Sequence, residues 1–442
     1  MRSDAGRPHV AIVGGGFSGA ALVFHLTKAA INVTLLERGD RVTAGLAYST
    51  QEPRHLLNVR AAKMSALPAE PDHFVDWLKA REEGGATRFA PRRLYAEYLA
   101  DVLQPGSGGA RVVRAVAVGW NADGVLLADG PTLHADAVVI AAGNILPEPI
   151  ETFNEAGVRY VHEPWSADAQ RTLAEAARRV EDVLLIGTGL TAIDAVLSLD
   201  ANGFGGRVIA LSRRGLLPQA HAETAAGSVA PVPKGSPLDM LRALGRQAET
   251  CDWRDAVDAL RPVTADVWRG WTVAQRGRFL RHLRPWWDVH RHRIAPEVAR
   301  RLAELIADGR LVVAAGRIAG HEDGRVRVRF RGADKDEAIE AATVVNCTGP
   351  QGDLRRSRDP LLVDLLRSGA ARTDAFGLGL DVDAACRVLG ANGLATPGLY
   401  AIGPMTKGTF WETVAVPDIR RQAAELAATL AADLTVEARL AS

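Results

Sequence analysis

Only three cysteines occur among the 442 residues, Cys251, Cys347 and Cys386, and none forms a C-x-x-C pair with another. That excludes a local dithiol redox pair and a cysteine metal site, and an odd, scattered count suits a reducing, cytoplasmic setting. Charge of one sign is also lacking: the net charge is +1, so there is no basic footprint for a nucleic-acid partner. No apolar run approaches the roughly 20 residues of a membrane span, so no membrane partner is expected. The opening MRSDAGRPHVAIVG has no separate apolar leader. His290 and His292 have no third ligand at ligand spacing, so no metal is expected. What is present is ordinary globular material, 47% hydrophobic and 24% charged, long enough for two or three domains.

The most informative stretch is PHVAIVGGGFSG, from Pro8 to Gly19. His9–Val13 reads as a buried strand. A helix is predicted over Ser18 to Lys28, with Ala20, Leu22, Val23 and Leu26 on its apolar face. Between them Gly14, Gly16 and Gly19 match G-x-G-x-x-G. Gly14 permits the sharp turn, Gly16 lets a pyrophosphate approach, and Gly19 lets helix and strand pack closely. A second strand, Asn32 to Leu36, ends in Glu37, about twenty residues on, where a carboxylate accepts hydrogen bonds from a ribose diol. A purely structural glycine turn is the alternative.

The pattern recurs. Val183–Ile186 reads as a strand, followed by Gly187, Thr188, Gly189, Leu190, Thr191 and Ala192, a G-x-G-x-x-A turn opening a helix. Two such turns imply two dinucleotides. The next strand, Arg207 to Leu211, ends in Ser212, Arg213 and Arg214. A carboxylate there would repel a 2′-phosphate, whereas guanidinium pairs with one bidentately. The first site therefore reads as FAD and the second as NADPH. The alternative for Arg213 and Arg214 is a pair of solvated surface charges.

Between the turns, helices are predicted over Asp72 to Glu82 and Tyr95 to Leu103. Arg111 to Trp120 and Gly124 to Ala128 read as a small antiparallel meander. The strand Ala137 to Ala141 leads the chain out of the first domain. After the second turn, helices are expected over Leu238 to Arg246, Arg254 to Leu260, Ala274 to Leu283 and Pro296–Ala307. This is longer than a βαβ connection requires and reads as an insertion. Its segment QRGRFLRHLRPWWDVHRHR is either a substrate-facing surface for an anionic group or a basic solvated helix with Trp286 and Trp287 packed beneath it. Strands resume at Leu311 to Ala314, Arg325–Phe330 and Thr343 to Cys347, the last running into NCTGP. A final strand, Leu399 to Ile402, precedes a Gly403 turn and a helix from about Val416 to Asp433, whose N-terminus offers N–H groups to a polar ligand edge. The expected fold is α/β, with two Rossmann-like dinucleotide-binding domains. The FAD domain is discontinuous, residues 1–165 and 343–442. The NAD(P)H domain covers 178–342, with the helical insertion at about 236–308.

With VGGGFSG, GLAYST, HLLNVRAAKMSALP, HFVDWL, PRRLYAEYL, RPWWDVHRHR, VVNCTGP and GLYAIGPMTKGTFWETVAVPDIR in this order, the chain resembles the two-dinucleotide-binding flavoproteins. More closely, it resembles FAD/NAD(P)-binding proteins of the YdhS-like type. The resemblance spans nearly the whole chain. It implies FAD contacts at Gly14, Gly16, Phe17, Ser18, Glu37, Arg38, Tyr48, Asn58, Met64 and Ser65, with Val116 at the adenine and Gly403 and Thr413 near the flavin. Gly19, Ala47 and Gly143 complete the expected FAD set. Gly187, Gly189, Leu190, Thr191, Ser212, Arg213 and Arg214 form the NADPH set. One departure stands out: Pro404 follows Gly403 where many of these flavoproteins carry an Asp on the ribityl chain.

Hydride passes from nicotinamide to flavin when the two rings are stacked. The absence of a cysteine pair argues against a disulfide acceptor. Tyr160-Val161-His162-Glu163-Pro164-Trp165, between the glycine turns, resembles a degraded form of the linker motif of class B flavin monooxygenases, although Phe153 and Gly157 are wrongly spaced for its upstream part. His162, Trp165 and Met64 are the candidate catalytic residues, with an ordinary linker anchor as the alternative for His162 and Trp165. The first expectation is an FAD-dependent, NADPH-using monooxygenase that hydroxylates nitrogen or sulfur, or inserts oxygen, in a small polar substrate with O2 as partner. The alternatives are an NAD(P)H-dependent flavoprotein reductase or dehydrogenase, and a non-catalytic FAD-binding redox sensor. Oligomeric state leaves no mark in the sequence.

Overall fold

The computed structural model describes residues 7–153, 158–223, 234–350 and 352–440, with side chains to 435. The chain begins with β1 (His9–Val13), α1 (Phe17–Lys28) and β2 (Asn32–Glu37). α2 (His73–Ala80) and α3 (Arg92–Leu103) follow, then β3 (Ala110–Arg114). β3 corrects the expected meander: it pairs parallel with β2 in the main sheet. Only β4 (Ala117–Asn121), β5 (Gly124–Leu127) and β6 (Leu133–His134) form the antiparallel unit. The chain changes sheets at Ala115 and Val116. β7 (Ala137–Ile140) returns beside β1. The centres of β1, β2 and β7 are buried without alternation, and apolar except for Thr34, because helices and the small sheet cover both faces.

The second unit opens earlier than the sequence predicts. β8 (Arg159–Val161) and α4 (Ala167–Arg179) precede β9 (Val183–Ile186), α5 (Leu190–Ala201) and β10 (Val208–Ser212). The insertion contributes α6 (Pro237–Ala248), α7 (Trp253–Ala259), α8 (Thr264–Gly270), α9 (Val273–Arg278), α10 (Arg284–Arg291) and α11 (Pro296–Ala307). Phe279–Leu283 joins α9 to α10 as one π-helical turn. Pro285 explains it. Proline lacks an N–H and its ring crowds the carbonyl four residues back, so a widened turn absorbs the misfit. β11 (Leu311–Glu322), β12 (Arg325–Phe330), β13 (Glu337–Glu340) and β14 (Thr343–Asn346) complete a seven-stranded sheet of order β13-β12-β11-β10-β9-β14-β8. Since β8 and β14 pair with each other and β14 with β9, Arg159–Val161 and Thr343–Asn346 belong to the second domain. The expected borders at 165 and 343 move to about 150 and 350.

The chain then returns to the first domain through α12 (Pro360–Ser368), β15 (Arg387–Leu389), β16 (Ala395–Ala401), α13 (Lys407–Phe410) and α14 (Val416–Leu440). Its six-stranded sheet runs β15-β16-β7-β1-β2-β3. α14 packs along α1 and closes a core that includes Leu22, Leu26, Leu426 and Leu430. Among the described residues, no helix is long and apolar enough to cross a membrane.

Candidate active site

The two glycine turns are built alike. Gly14 N–H donates to Leu36 at 2.9 Å and Gly187 N–H to Leu211 at 2.7 Å. Gly14 has φ +114° and Gly187 φ +125°. A side chain on Gly14 would collide with the Ala141 carbonyl, and one on Gly187 with the Cys347 carbonyl. The return turns after β7 and β14 therefore press against the glycines, which leaves room for nothing larger. Gly19 likewise lies against the Gly14 carbonyl. α1 and α5 start at Gly16 and Gly189 with no side-chain cap, whereas Ser166, Ser236 and Asp252 cap α4, α6 and α7. The first N–H groups of α1 and α5 are thus left without a capping side chain. A side chain on Gly189 would meet open space.

At the end of β2, Glu37 accepts from Gly15 N–H at 2.7 Å and Gly39 N–H at 2.8 Å. These bonds lock the carboxylate beside the turn, with lone pairs left for two hydroxyls. Arg38 reaches Asp359, the cap of α12, at 3.3 Å. Val116 is exposed at 41% in the β3–β4 link, and Ala115 N–H bonds to the Glu37 carbonyl at 3.1 Å, which sets Val116 close to the end of β2. Tyr48 meets Tyr95 edge-on at 4.7 Å, and burial pushes its hydroxyl pKa up. Asn58 uses its carbonyl to accept from His221 Nε2 at 3.0 Å. Met64 is packed into the first domain's core. The Ser65 hydroxyl donates to the Leu67 and Glu70 carbonyls, so its hydroxyl proton is already used. Ala47 is exposed beside Tyr48, and Gly143 has φ +71° just past β7.

Gly403 also has φ +71°, and a side chain there would strike Ser18. Its N–H donates to Gln422 Oε1 at 2.9 Å, and Gln422 Nε2 donates to Thr406 Oγ1 at 3.0 Å. Thr406 in turn donates to Thr413 at 3.3 Å. Phe17, Ser18, Gly403 and Thr413 are therefore brought to one end of α1. Pro404, which has no side-chain acceptor, is the second residue of a 3-10 turn there, Gly403–Thr406.

At the second turn, Thr188 donates towards Ser212 Oγ at 2.9 Å and the Leu216 carbonyl at 2.6 Å. Ser212 Oγ also accepts from Gly215 N–H at 3.0 Å. Ser212 thus braces the loop and keeps only its own proton free. Arg213 is exposed and Arg214 half-buried, and neither has an ion-pair partner among the described residues. Leu190 and Thr191 form the first turn of α5.

His162 follows β8, and its buried Nδ1 has no partner among the described residues. Trp165 meets the His55 ring edge-on at 6.0 Å, with Arg92 5.7 Å from its ring centre. Gly157 lies outside the described residues. His55 is fully buried. It bonds Thr50 at 2.7 Å and, through Nε2, the Asp194 carbonyl at 2.8 Å. Trp165 thus belongs to a polar seam between the domains, one that no local sequence signal announces.

The insertion and the α13–α14 segment enclose an aromatic cavity with about 330 Å³ of empty space, its open mouth included. Trp268 stacks on Trp411 at 4.6 Å and 25°. Phe279 stands edge-on to both, and Trp287 completes the wall. Trp286 is instead 49% exposed, so only one of the expected pair packs inward. Trp411 is a non-glycine residue at φ +60°, the kind of strained position that clusters at sites. Beside it, Glu412 accepts from Arg291 at 3.0 Å, the side chains 5% and 7% exposed. Burial lowers the pKa of Lys407 and of His292. The His290 ring turns to Trp253 while His292 lies near Glu412. Burial drives the Cys347 thiol pKa upward and that of Cys386 up to about 12, and all three cysteines are free.

This geometry defines a class, a chain with two Rossmann-like dinucleotide-binding domains. Residues 11–145 match a family described as FAD-NAD(P)-binding. No curated protein matches the chain. Among solved structures it is similar to the ornithine N-hydroxylase of Kutzneria sp. 744 with FADred, NADP+ and L-orn. That likeness has 18% identity and a TM-score of 0.66, and it covers 96% of this chain and 99% of that one. The reduced form of ornithine hydroxylase from Pseudomonas aeruginosa matches at 16% identity and TM-score 0.64, covering 97% and 100%. L-lysine 6-monooxygenase from Pseudomonas syringae matches at 17% and 0.63, covering 96% and 99%.

Proposed function

We propose that this chain is an FAD-dependent, NADPH-using monooxygenase that hydroxylates nitrogen or sulfur, or inserts oxygen, in a small substrate, and that it belongs with the YdhS-like flavoproteins. The observation that carries the reading is the pair of matching glycine turns with opposite strand ends. Glu37, locked by two N–H groups, suits a ribose diol. Arg213 and Arg214 suit a 2′-phosphate. The chemistry supplied by bound FAD is hydride acceptance from NADPH and reaction with O2. The α1 and α5 N-termini would hold the two pyrophosphates. Gly403, Gln422 and Thr413 would fix the flavin edge, and the aromatic wall would exclude water from the reacting face. All three cysteines are free, and the two buried ones, Cys347 and Cys386, have thiol pKa values raised by burial, which supports an acceptor other than a disulfide. The whole-length likeness to N-hydroxylating enzymes supports oxygen as that acceptor, by analogy of fold.

The test is turnover under isotopically labelled O2 with NADPH and a panel of amines, thiols and aromatic acids. Labelled oxygen should appear in a product. If every electron pair from NADPH leaves as free peroxide or reduces an added dye, the enzyme is a reductase and the proposal fails.

A further inference from the structure

We propose that the aromatic cavity takes a planar aromatic molecule carrying a carboxylate, and that Trp287 Nε1 donates a hydrogen bond to it. The proposal rests on the flavoenzyme reading and names the substrate class of that same site. Three observations lead there.

The first is shape and polarity. Trp268, Trp271, Phe279, Trp287 and Trp411 line the space, and among the described residues the only polar side chain there apart from the indoles is Thr264. The Thr264 hydroxyl is already donated to the Leu260 carbonyl at 2.8 Å. Such a wall recovers the energy of desolvating an aromatic body. A chain with polar groups at both ends would lose its hydration there without compensation.

The second is the charge on the rings. The Arg276 guanidinium lies 5.2 Å from the Trp268 ring centre and the Lys407 ammonium 5.1 Å from that of Trp411. Those ring faces already carry cations, so a further cation gains little from them and meets like charge. An aminoalkyl substrate such as ornithine is disfavoured on the same ground.

The third is a set of orphan donors. Trp287 Nε1, Arg291 Nε and Arg261 Nη2 are buried without a hydrogen-bond partner among the described residues. Arg291 is one turn beyond Trp287 on α10, and Arg261 follows the cavity residue Leu260. Arg261 is ion-paired with Asp418 at 3.7 Å and Arg291 with Glu412 at 3.0 Å, so the orphan donor that lines the cavity is Trp287 Nε1. A buried donor without a partner is costly, and a ligand oxyanion is a group that satisfies it.

The experiment is calorimetric titration of the purified full-length protein with indole-3-carboxylate, indole and L-ornithine. Indole-3-carboxylate should bind about tenfold or more tightly than indole, the effect of one charged hydrogen bond, and L-ornithine should not bind. Trp287→Phe keeps an aromatic face, though a smaller one, and removes the donor, and should erase most of the difference between the acid and indole. Thr264→Trp fills the cavity and should abolish binding of both. No binding of indole-3-carboxylate overturns the inference, as does equal binding to wild type and Thr264→Trp. Hydroxylation of L-ornithine without binding of the aromatic acid would overturn the inference and leave the monooxygenase reading standing. Binding of the acid without oxygenation of any substrate would do the reverse.

Discussion

Arg92 on α3 holds Asp194 on α5 across the domain boundary at 2.8 Å, with side chains 14% and 6% exposed. His55 reinforces the contact through the Asp194 carbonyl, and Arg54 adds a second bridge to Asp200 at 3.0 Å. Removing one partner of a buried ion pair strands the other, at about 3–5 kcal/mol. Arg92→Met or Asp194→Asn should therefore lower the melting temperature by several degrees. The double variant Arg92→Met/Asp194→Leu should recover much of the loss. Single variants that melt like wild type would mean the pair holds nothing.

On the proposed reading, Arg213 and Arg214 are the residues that select NADPH over NADH. Loss of one guanidinium–phosphate contact costs about 1.5–3 kcal/mol. Arg213→Ala should then raise KM for NADPH by about ten- to a hundredfold and leave the NADH value nearly unchanged. Steady-state NADPH and NADH oxidation measures both, and an unchanged ratio would return these arginines to plain surface charge.

The two turns are separable by glycine substitution. Gly14→Ala forces a side chain into the Ala141 carbonyl at positive φ, and should yield protein without flavin. Gly189→Ala meets only open space. It should fold and retain flavin by its visible spectrum, yet be reduced more slowly by NADPH, because the new methyl crowds the pyrophosphate path. Equal reduction rates in wild type and Gly189→Ala would place the coenzyme elsewhere.

These turns were legible in the sequence because their chemistry is local: a few glycines, one strand and the residue ending the next. The Arg92–Asp194 bridge was not, since its partners lie 102 residues apart and each alone reads as a helix-surface charge. The cavity was hidden for the same reason. Trp268 and Trp411 come from different domains, and only their stacking makes a wall. The Arg111 to Trp120 run was misread because its β character is continuous while its partners change. Strand propensity is silent about which sheet a strand joins.

His221 sits where the loop after β10 meets the first domain, its Nε2 donating to the Asn58 carbonyl. Burial lowers its pKa from 6.5 to about 4. As pH falls through 6.5 the unfolded chain binds a proton that the folded chain refuses until about 4, so stability falls over that window. His221→Gln should flatten the acid limb of melting temperature against pH by one proton's share. His55 and His292 are also lowered, so part of the slope persists. An unaltered slope would show that His221 takes up its proton as readily in the fold as in the unfolded chain.

Pro285 and the π turn before it set the angular position of Trp287. The turn spends one extra residue between Phe279 and α10, and each helical residue turns the chain by about 100°. It brings Phe279 and Trp287, eight residues apart, from about 80° to about 20° of each other around the axis, so that both line the cavity side by side. Pro285→Ala restores an N–H and removes the ring that blocks a regular helix. The change should leave the melting temperature equal or raised, since a proline within a helix costs about 3 kcal/mol relative to alanine. It should also weaken binding of indole-3-carboxylate, because a regular helix turns Trp287 from about 20° to about 80° away from Phe279 and re-aims its Nε1. A stable variant with full affinity would show that the turn persists without its proline, and that the packing of Phe279 against Trp268 and Trp411 is what holds it.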